Sequence, residues 1–374
     1  MPFVTACGGT TTVGDVGEKT IKIGISQIAE HPALDASRKG FIDALASKGY
    51  EEGKNLKIDY QNAQGDIPLS QTIAQSFVSD GVDLIFAIAT PAAQSAYNAT
   101  KDIPILITAV TDPVQAGLVK SMETSGTNVA GTSDMAPIDK QFKLIKELVP
   151  NAKKVGIIYN TSEVNSEVQV EKAKEVGARS QLEVLTKGVT TTNEVAQALD
   201  SILDGIDVLY VPTDNIMASS IPLVASKCLE RKIPVIGAES AHVEGGALAT
   251  EGIDYYKLGY ETGLMAAEVF GGKNPKDMRV RTFKETKLVI NENTLNSLNI
   301  LNYNKIINYI HSYQNQDGGF SQRKQDGRLV ESRMNNTYFA VKILKLLNGF
   351  ETSITDKIVG FILNSENKTG GYGS

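Results

Sequence analysis

The sequence predicts an α/β protein with two lobes, each a parallel sheet covered by helices. From Ile21 to about residue 271, short apolar runs of strand length alternate with longer amphipathic stretches of helix length. Such alternation is typical of βαβ units and parallel sheets. The pattern pauses between residues 112 and 135 and then restarts, which indicates two doubly wound lobes. Ligands of such sheets bind beyond the carboxyl ends of the strands.

The first lobe is predicted from the first half of this pattern. Its expected strands are 21–26, 56–61, 84–89, 105–110 and 129–134, and its expected helices are 34–49, 69–80 and one from Pro91. A helix at 137–149 follows before the pattern restarts. In the second half, the expected strands are 153–160, 182–189, 208–214, 234–240 and 247–253. One expected helix follows the strand 153–160 and ends near residue 180, and the others span 193–204, 221–232 and 255–271.

The composition is that of a globular protein without a nucleic-acid surface. The 374 residues are 41% hydrophobic and 21% charged, with a net charge of −6. No apolar run approaches the ~20 residues that a membrane-spanning helix needs. Two cysteines exclude a disulfide framework. Charge shifts from −9 over the first 300 residues to +3 over the remainder, which predicts a domain boundary near residue 300.

Residues 1–20 form a distinct N-terminal segment. The run Val4-Thr5-Ala6-Cys7 resembles a bacterial lipobox, in which the cysteine is acylated and anchors the protein to the membrane. The Gly- and Thr-rich residues that follow predict a flexible tether. Lipidation of Cys7 and an extracytoplasmic, membrane-anchored location are therefore expected. The alternative is a disordered tail with an unrelated cysteine.

The order of elements and seven segments carry a family resemblance over residues 21–300. The segments are GISQIAEHPALD, ATPAAQ, VTDPVQAGLV, YNTSEVNS, VPTDN, GAES and GIDYYKLGYETG. They resemble the substrate-binding lipoproteins of ABC transporters of the tryptophan or aromatic amino-acid type. The resemblance implies a type I periplasmic-binding-protein fold whose lobes are joined by three crossings, expected near Gly131, Glu251 and Arg281. Lobe one would then comprise 21–130 and 252–280, and lobe two 131–251 and 281–300.

The function that the resemblance implies is solute binding for an ABC importer. The solute would be tryptophan, tyrosine or phenylalanine, held between the lobes, and the partners would be the permease subunits. No enzymatic activity or cofactor is implied. A ligand sensor of the same fold that signals to a membrane partner is the alternative. A Gly-x-Gly-x-x-Gly loop, a Walker loop, metal-ligand spacing and a Gly-x-Ser-x-Gly elbow are all missing, so neither a catalytic nor a metal site is predicted.

An amino acid needs donors for its carboxylate, and lobe one offers them at strand ends. Thr90 is expected to cap a helix that begins at Pro91, where free N–H groups such as that of Ala92 favour an anion. Thr111 and Asp112 follow the next strand, where Asp112 either contacts the ligand or shapes the turn. Gln27 ends the first strand and is a further hydrogen-bonding candidate.

Lobe two is expected to hold the ammonium group of the ligand. Asp214, after the apolar run 208–211, is the first choice, with a turn beside Asn215 as the alternative. Glu239 at the next strand end is a second candidate. Asn165 and Ser166 begin a helix, so Ser166 either caps it or also donates to the ligand. For His31, a solvent-facing or capping role is favoured over ligand contact.

Residues 301–374 differ in kind from the lobes. The segments 306–320 and 358–372 align at an offset of 52 residues, each ending in Gly-Gly and an aromatic residue. They resemble the αα-toroid repeats of terpene cyclases and prenyltransferase β subunits. About one and a half repeats are present, so a short, catalytically inert helical appendage is predicted, since a toroid closes only with several more. The alternative makes this tail an interaction module or a toroid enzyme.

Overall fold

The computed structural model describes residues 20–298, residue 300, and the segments 324–325 and 328–329, which pair as a short antiparallel ladder. The predicted lipidation of Cys7 and the predicted helical repeats after residue 300 therefore lie outside the described residues. Within that part, none of the helices is both long and apolar enough to cross a bilayer.

Two six-stranded sheets organise the described chain, one in each lobe. The sheet of lobe one contains β1 (Ile21–Gln27), β2 (Leu56–Asn62), β3 (Leu84–Ile88), β4 (Ile105–Val110), β5 (Val129–Ser133) and β11 (Arg281–Thr282), in the spatial order β11-β5-β4-β3-β1-β2. The sheet of lobe two contains β6 (Lys154–Asn160), β7 (Glu183–Val189), β8 (Val208–Val211), β9 (Val235–Gly237), β10 (Ala249–Gly252) and β12 (Lys287–Ile290), in the order β12-β10-β9-β8-β6-β7.

Helices cover both sheets. Those of lobe one are α1 (Pro32–Ser47), α2 (Ile67–Ser79), α3 (Thr90–Ala99) and α10 (Tyr255–Phe270). Those of lobe two are α4 (Ile138–Leu148), α5 (Val164–Arg179), α6 (Val195–Ile202), α7 (Asn215–Ser219), α8 (Ile221–Glu230), α9 (Ser240–Glu244) and α11 (Glu292–Ser297). Every strand pair in the two sheets is parallel except β10–β12. The predicted two-lobed α/β class is confirmed.

Side-chain alternation shows why lobe two needs helices on both faces. Ile157 and Tyr210 belong to a buried cluster with residues of α4 and α5. Their neighbours Ile158 and Leu209 belong to a second cluster with residues of α6 and α8. Because successive strand residues point to opposite faces, a sheet with apolar residues at every position must be covered twice.

Lobe one takes up a helix from late in the sequence. Helix α10 packs closely against α1, and the contact depends on glycine. A Cβ atom on Gly259 would lie 1.8 Å from the carbonyl oxygen of Ser37, and one on Gly40 would lie 2.1 Å from that of Tyr256. The two backbones therefore approach more closely than any side chain would allow.

Three crossings join the lobes, at residues 134–137, 253–254 and 283–286. Strand β5 pairs with β4 as far as Ser133, and β11 pairs with β5 as far as Thr282, so both strands belong to lobe one. The first and third crossings therefore come a few residues after the positions expected near Gly131 and Arg281. The second follows β10 and lies within two or three residues of Glu251.

Candidate functional site

The candidate site lies between the lobes, where the carboxyl ends of the strands of both sheets meet. Three hydrogen bonds cross the cleft: His31 Nε2 to Asn215 Oδ1 (3.3 Å), Thr111 Oγ1 to Thr213 Oγ1 (3.5 Å), and Gln169 Nε2 to Thr111 Oγ1 (3.4 Å). The space enclosed beside them, about 10 Å³, has room for about one water molecule. The lobes are therefore closed on each other.

Polar side chains dominate the walls of this space. Those from lobe one and the crossings are His31, Leu34, Ala109, Asp134 and Tyr255. Those from lobe two are Asn165, Thr213, Asp214, Asn215, Ala218 and Glu239. Ala109 has a φ of 54°, in the left-handed region that an alanine rarely adopts. Backbone strain of this kind clusters at ligand sites.

Lobe two contributes two neighbouring buried carboxylates, Asp214 in the wall of the space and Glu163 outside that wall. Asp214 accepts hydrogen bonds from the N–H of Asn160 (2.6 Å), the hydroxyl of Ser166 (2.7 Å) and the N–H of Met217 (3.0 Å). Its carboxylate thereby caps α7 and joins that helix to β6 and α5. Burial raises the pKa of Asp214. Burial, and then the charge of Asp214, raise the pKa of the neighbouring Glu163 to about 7.

A second acidic group lies at the first crossing. Asp134 accepts hydrogen bonds from the hydroxyls of Tyr255 (2.7 Å) and Thr111 (3.1 Å), and is 2% exposed. Burial raises its pKa to about 6, although both hydrogen bonds act to lower it. Tyr255 follows the second crossing, so this bond joins two of the three crossings. Asp134 is thus placed to couple the ligand site to the hinge.

Glu239 and two histidines complete the buried charge. Glu239 Oε1 lies 3.2 Å from His242 Nε2, at an angle that makes no hydrogen bond. Burial acts to raise the pKa of Glu239, but His242, His31 and Tyr255 together leave that pKa below its usual value. Burial lowers the pKa of His31, although Glu239 opposes this. Glu239 is therefore ionised and His31 neutral at neutral pH.

The structure brings part of the predicted site together. Asn165, Asp214, Asn215 and Glu239 line the closed cleft, and Thr111 reaches across it. Ser166 does not cap α5, which begins at Val164 after Glu163. It occupies the third helical position and donates to Asp214 instead.

Other predicted residues are engaged elsewhere. The amide of Gln27 donates to Ala29 O and Asp35 and accepts from Arg38, and Asp112 accepts from the N–H groups of Val114 and Gln115 to shape the turn. Gln27, Thr90, Ala92 and Asp112 are all outside the walls of the closed space.

The cap predicted at Thr90 is one residue away from its expected place. Ala89, with a φ of 79°, is the N-cap of α3, so Thr90 is the first helical residue and Pro91 the second. The tight left-handed turn at Ala89 begins the helix earlier than the Pro91 pattern indicates. Thr90 Oγ1 is buried and makes no hydrogen bond.

The sequence did not single out several residues that prove central. These are Asp134, Glu163, Gln169, Thr213 and Tyr255. His31 is neither solvent-facing nor a capping side chain: it occupies the N-cap position of α1 without capping it, and is 6% exposed. A polar residue just after an apolar strand was the available signal for Asp134 and Thr213. No such pattern marks Tyr255, which begins a helix.

Nothing in the described residues points to other chemistry. No cluster of three or more metal-ligating side chains occurs among them. Cys228 is a free, buried thiol, and burial raises its pKa to about 12. A thiol with so high a pKa is not a nucleophile at neutral pH.

Comparison with known families identifies both parts of the chain. The profile of the ABC transporter substrate binding protein family matches residues 22–313. That of the prenyltransferase alpha-alpha toroid domain matches residues 257–374. The two ranges overlap from 257 to 313, and within that overlap α10 packs in lobe one. The predicted resemblance of the C-terminal segment to toroid repeats is thereby confirmed at the level of family.

Three relatives define the similarity of the lobes. A protein named "Tyrosine-binding protein" from Clostridioides difficile is 56% identical, over 76% of this chain and 82% of its own length. The structure of an ABC domain in complex with L-Trp from Streptococcus pneumoniae is 41% identical, with a TM-score of 0.73. A ligand-free, open substrate-binding protein from Clostridium difficile is 56% identical, with a TM-score of only 0.59.

Both structures cover 75% of this chain and 95% of their own. The more identical relative, whose structure is described as open, has the lower TM-score. The family profile spans both lobes, all three crossings and the cleft. The chain belongs to the ABC transporter substrate-binding protein family.

Proposed function

We propose that this chain is the extracytoplasmic solute-binding component of an ABC importer and that its solute is an aromatic amino acid. The observation that carries the proposal is a closed cleft lined by buried acidic and amide side chains, in a family whose relatives at 41–56% identity include one named for tyrosine and one bound to L-Trp. Of these acids Glu239 has histidines beside it, whereas no basic residue is among the groups that shift the pKa of Asp134, Glu163 or Asp214, and buried acids of that kind favour a ligand that brings a positive charge.

The two ends of the amino acid would contact different lobes. Lobe one offers the start of α3, where Thr90 has a buried hydroxyl without a partner, to the carboxylate. The N–H groups of the first helical turn, including that of Ala92, add the positive end of the helix dipole. Lobe two offers acceptors to the ammonium. A ligand that contacts both lobes stabilises the closed state through its differential affinity for that state.

The closed space of about 10 Å³ is far smaller than an aromatic amino acid. Binding therefore requires the lobes to separate, with the residues around the three crossings absorbing the motion. Closure around the solute would then create the surface that the permease subunits recognise. In this proposal the chain catalyses nothing, and acylated Cys7 holds it at the membrane.

A calorimetric titration of the full chain tests the proposal. Tyrosine, tryptophan and phenylalanine are compared with leucine, which keeps the ammonium and carboxylate but lacks the ring, and with myo-inositol as a non-amino-acid control. We expect saturable binding of at least one aromatic amino acid and much weaker binding of leucine. Equal binding of leucine would refute the aromatic specificity, and selective binding of the sugar alcohol would refute the amino-acid assignment.

A further inference from the structure

Three buried polar atoms without a hydrogen-bond partner belong to residues that line the same closed space. They are His31 Nδ1, Asn165 Oδ1 and Glu239 Oε1. Each belongs to a residue that is at most 6% exposed. An unpartnered polar atom that is buried this deeply costs about 1–3 kcal/mol. Three such atoms around one small space indicate that a ligand with several donors forms the missing hydrogen bonds.

Each of the three atoms is an acceptor for a structural reason. His31 is neutral and its Nε2 faces the side-chain amide oxygen Oδ1 of Asn215, so Nε2 carries the proton and Nδ1 is left with a lone pair. Glu239 is ionised because of the neighbouring histidines. The orientation of the Asn165 amide is set by two acceptors of its Nδ2 group: the backbone carbonyl oxygen of Thr213 (3.2 Å) and the carboxylate of Glu163, a residue that does not line the space.

Glu163 accepts from three asparagine side chains at once. The Nδ2 groups of Asn215 (2.7 Å), Asn160 (3.0 Å) and Asn165 (3.1 Å) all donate to its two carboxylate oxygens. An amide that turns its NH₂ group toward a carboxylate must turn its oxygen away. The oxygen of Asn160 accepts from Ser162 N, that of Asn215 contacts His31, and that of Asn165 is left without a partner at the wall of the space.

We propose that His31 Nδ1, Asn165 Oδ1 and Glu239 Oε1 form the subsite for a primary ammonium group, and that Glu163 is the positioning residue that turns the asparagine oxygens toward it. A primary ammonium has three N–H donors and one positive charge, which match three acceptors of which one is an ionised carboxylate. This inference rests on the proposed function, since the ammonium is that of the amino acid.

The geometry also explains why Asp214 is a poorer choice for the ammonium. Its carboxylate already accepts three hydrogen bonds from Asn160, Ser166 and Met217. A bound cation would have to compete with those donors or share the remaining lone pair. Glu239 lies beside His242 and Tyr255, but its Oε1, 3.2 Å from His242 Nε2, makes no hydrogen bond of good geometry.

The variant Glu163→Gln tests the positioning role. Its side-chain NH₂ group takes the place of one carboxylate oxygen. In the place of Oε2 it faces the amides of Asn165 and Asn215, which must then turn their oxygens toward it and away from the space; in the place of Oε1 it turns only Asn160. The matched control is Glu167→Gln, one helical turn further along α5 at an exposed position. Ligand-observed NMR on the full chain measures the affinities for three ligands. They are tyrosine, tyramine, which lacks the carboxylate, and 3-(4-hydroxyphenyl)propionate, which lacks the ammonium.

We expect Glu163→Gln to lower the affinities for tyrosine and tyramine at least tenfold and to leave the affinity for the propionate within twofold of the wild-type value. Glu167→Gln should change none of the three affinities. Equal loss for all three ligands, or no loss for tyrosine, would overturn the inference. If circular dichroism shows that Glu163→Gln does not fold, Asn165→Leu removes one acceptor directly and must show the same selectivity. A wild-type chain that binds no amino acid would instead refute the proposed function.

Discussion

Replacement of Asp214 by alanine should destabilise lobe two strongly. The substitution removes the cap of α7, which is worth about 0.5–2 kcal/mol. It also leaves the N–H of Asn160 and the hydroxyl of Ser166 buried without an acceptor, at about 1–3 kcal/mol each. Because removing a buried carboxylate also relieves its desolvation, we expect a net loss of about 3–5 kcal/mol in the free energy of unfolding.

The matched control is Asp66→Ala. Asp66 likewise caps a helix, accepting from Leu69 N at 2.7 Å, but its side chain is exposed. We expect that control to cost about 1 kcal/mol. Urea unfolding is followed by far-UV circular dichroism, since the chain has no tryptophan. The reasoning would be refuted if the two variants were equally stable, because the buried network would then contribute nothing beyond an ordinary cap.

Three further predictions concern the ligand, pH and the C-terminal segment. Thr90→Val and Thr250→Val each remove a buried hydroxyl without a partner, so both variants should keep or raise the melting temperature. Only Thr90→Val should weaken tyrosine binding. Equal affinities of the two variants for tyrosine in calorimetry would contradict the carboxylate site. The raised pKa of Glu163 (about 7, against 4.5) means that the folded state binds this proton more tightly, so its contribution to stability is present below pH 4.5 and lost as the pH rises toward 7. The unfolding free energy of Glu163→Gln relative to wild type should therefore increase over that interval in urea titrations, and a constant difference would count against it. Deletion of residues 301–374 should leave the tyrosine affinity within twofold by calorimetry, since the cleft is formed by earlier residues; a larger loss would make the tail part of the site.

Periodicity predicted the fold well because the buried parallel strands are apolar at nearly every position. The runs at β3 and β4 are fully buried and were recognisable on that basis alone. The short elements α7 and α9 were missed, since five residues are too few for helical periodicity to develop. Strand β11 has two residues and pairs only at the edge of its sheet, so no local pattern could indicate it.

The site was only partly predictable, because a strand end locates a side chain without giving its partners. Asp214 was correctly placed beside the cleft, yet its donors come from β6, α5 and α7 and are set by tertiary packing. His31 reads as an ordinary helix-capping residue, and only closure of the lobes brings it to Asn215, 184 residues later. The same holds for Asp134, whose partner Tyr255 is 121 residues away.

Four acidic side chains are buried in or beside the closed cleft. Asp134, Glu163, Asp214 and Glu239 are all at most 5% exposed. Two unit charges 4 Å apart repel by about 4 kcal/mol at an effective dielectric constant of 20. Burial raises the pKa of three of these acids, so their ionised forms are disfavoured in the closed structure. An ammonium group offsets this repulsion only while the lobes are together, whereas solvent does so when they are apart. In the proposed function, a cationic group on the ligand therefore favours the closed state specifically, and this difference in affinity would link binding to the shape presented to a permease.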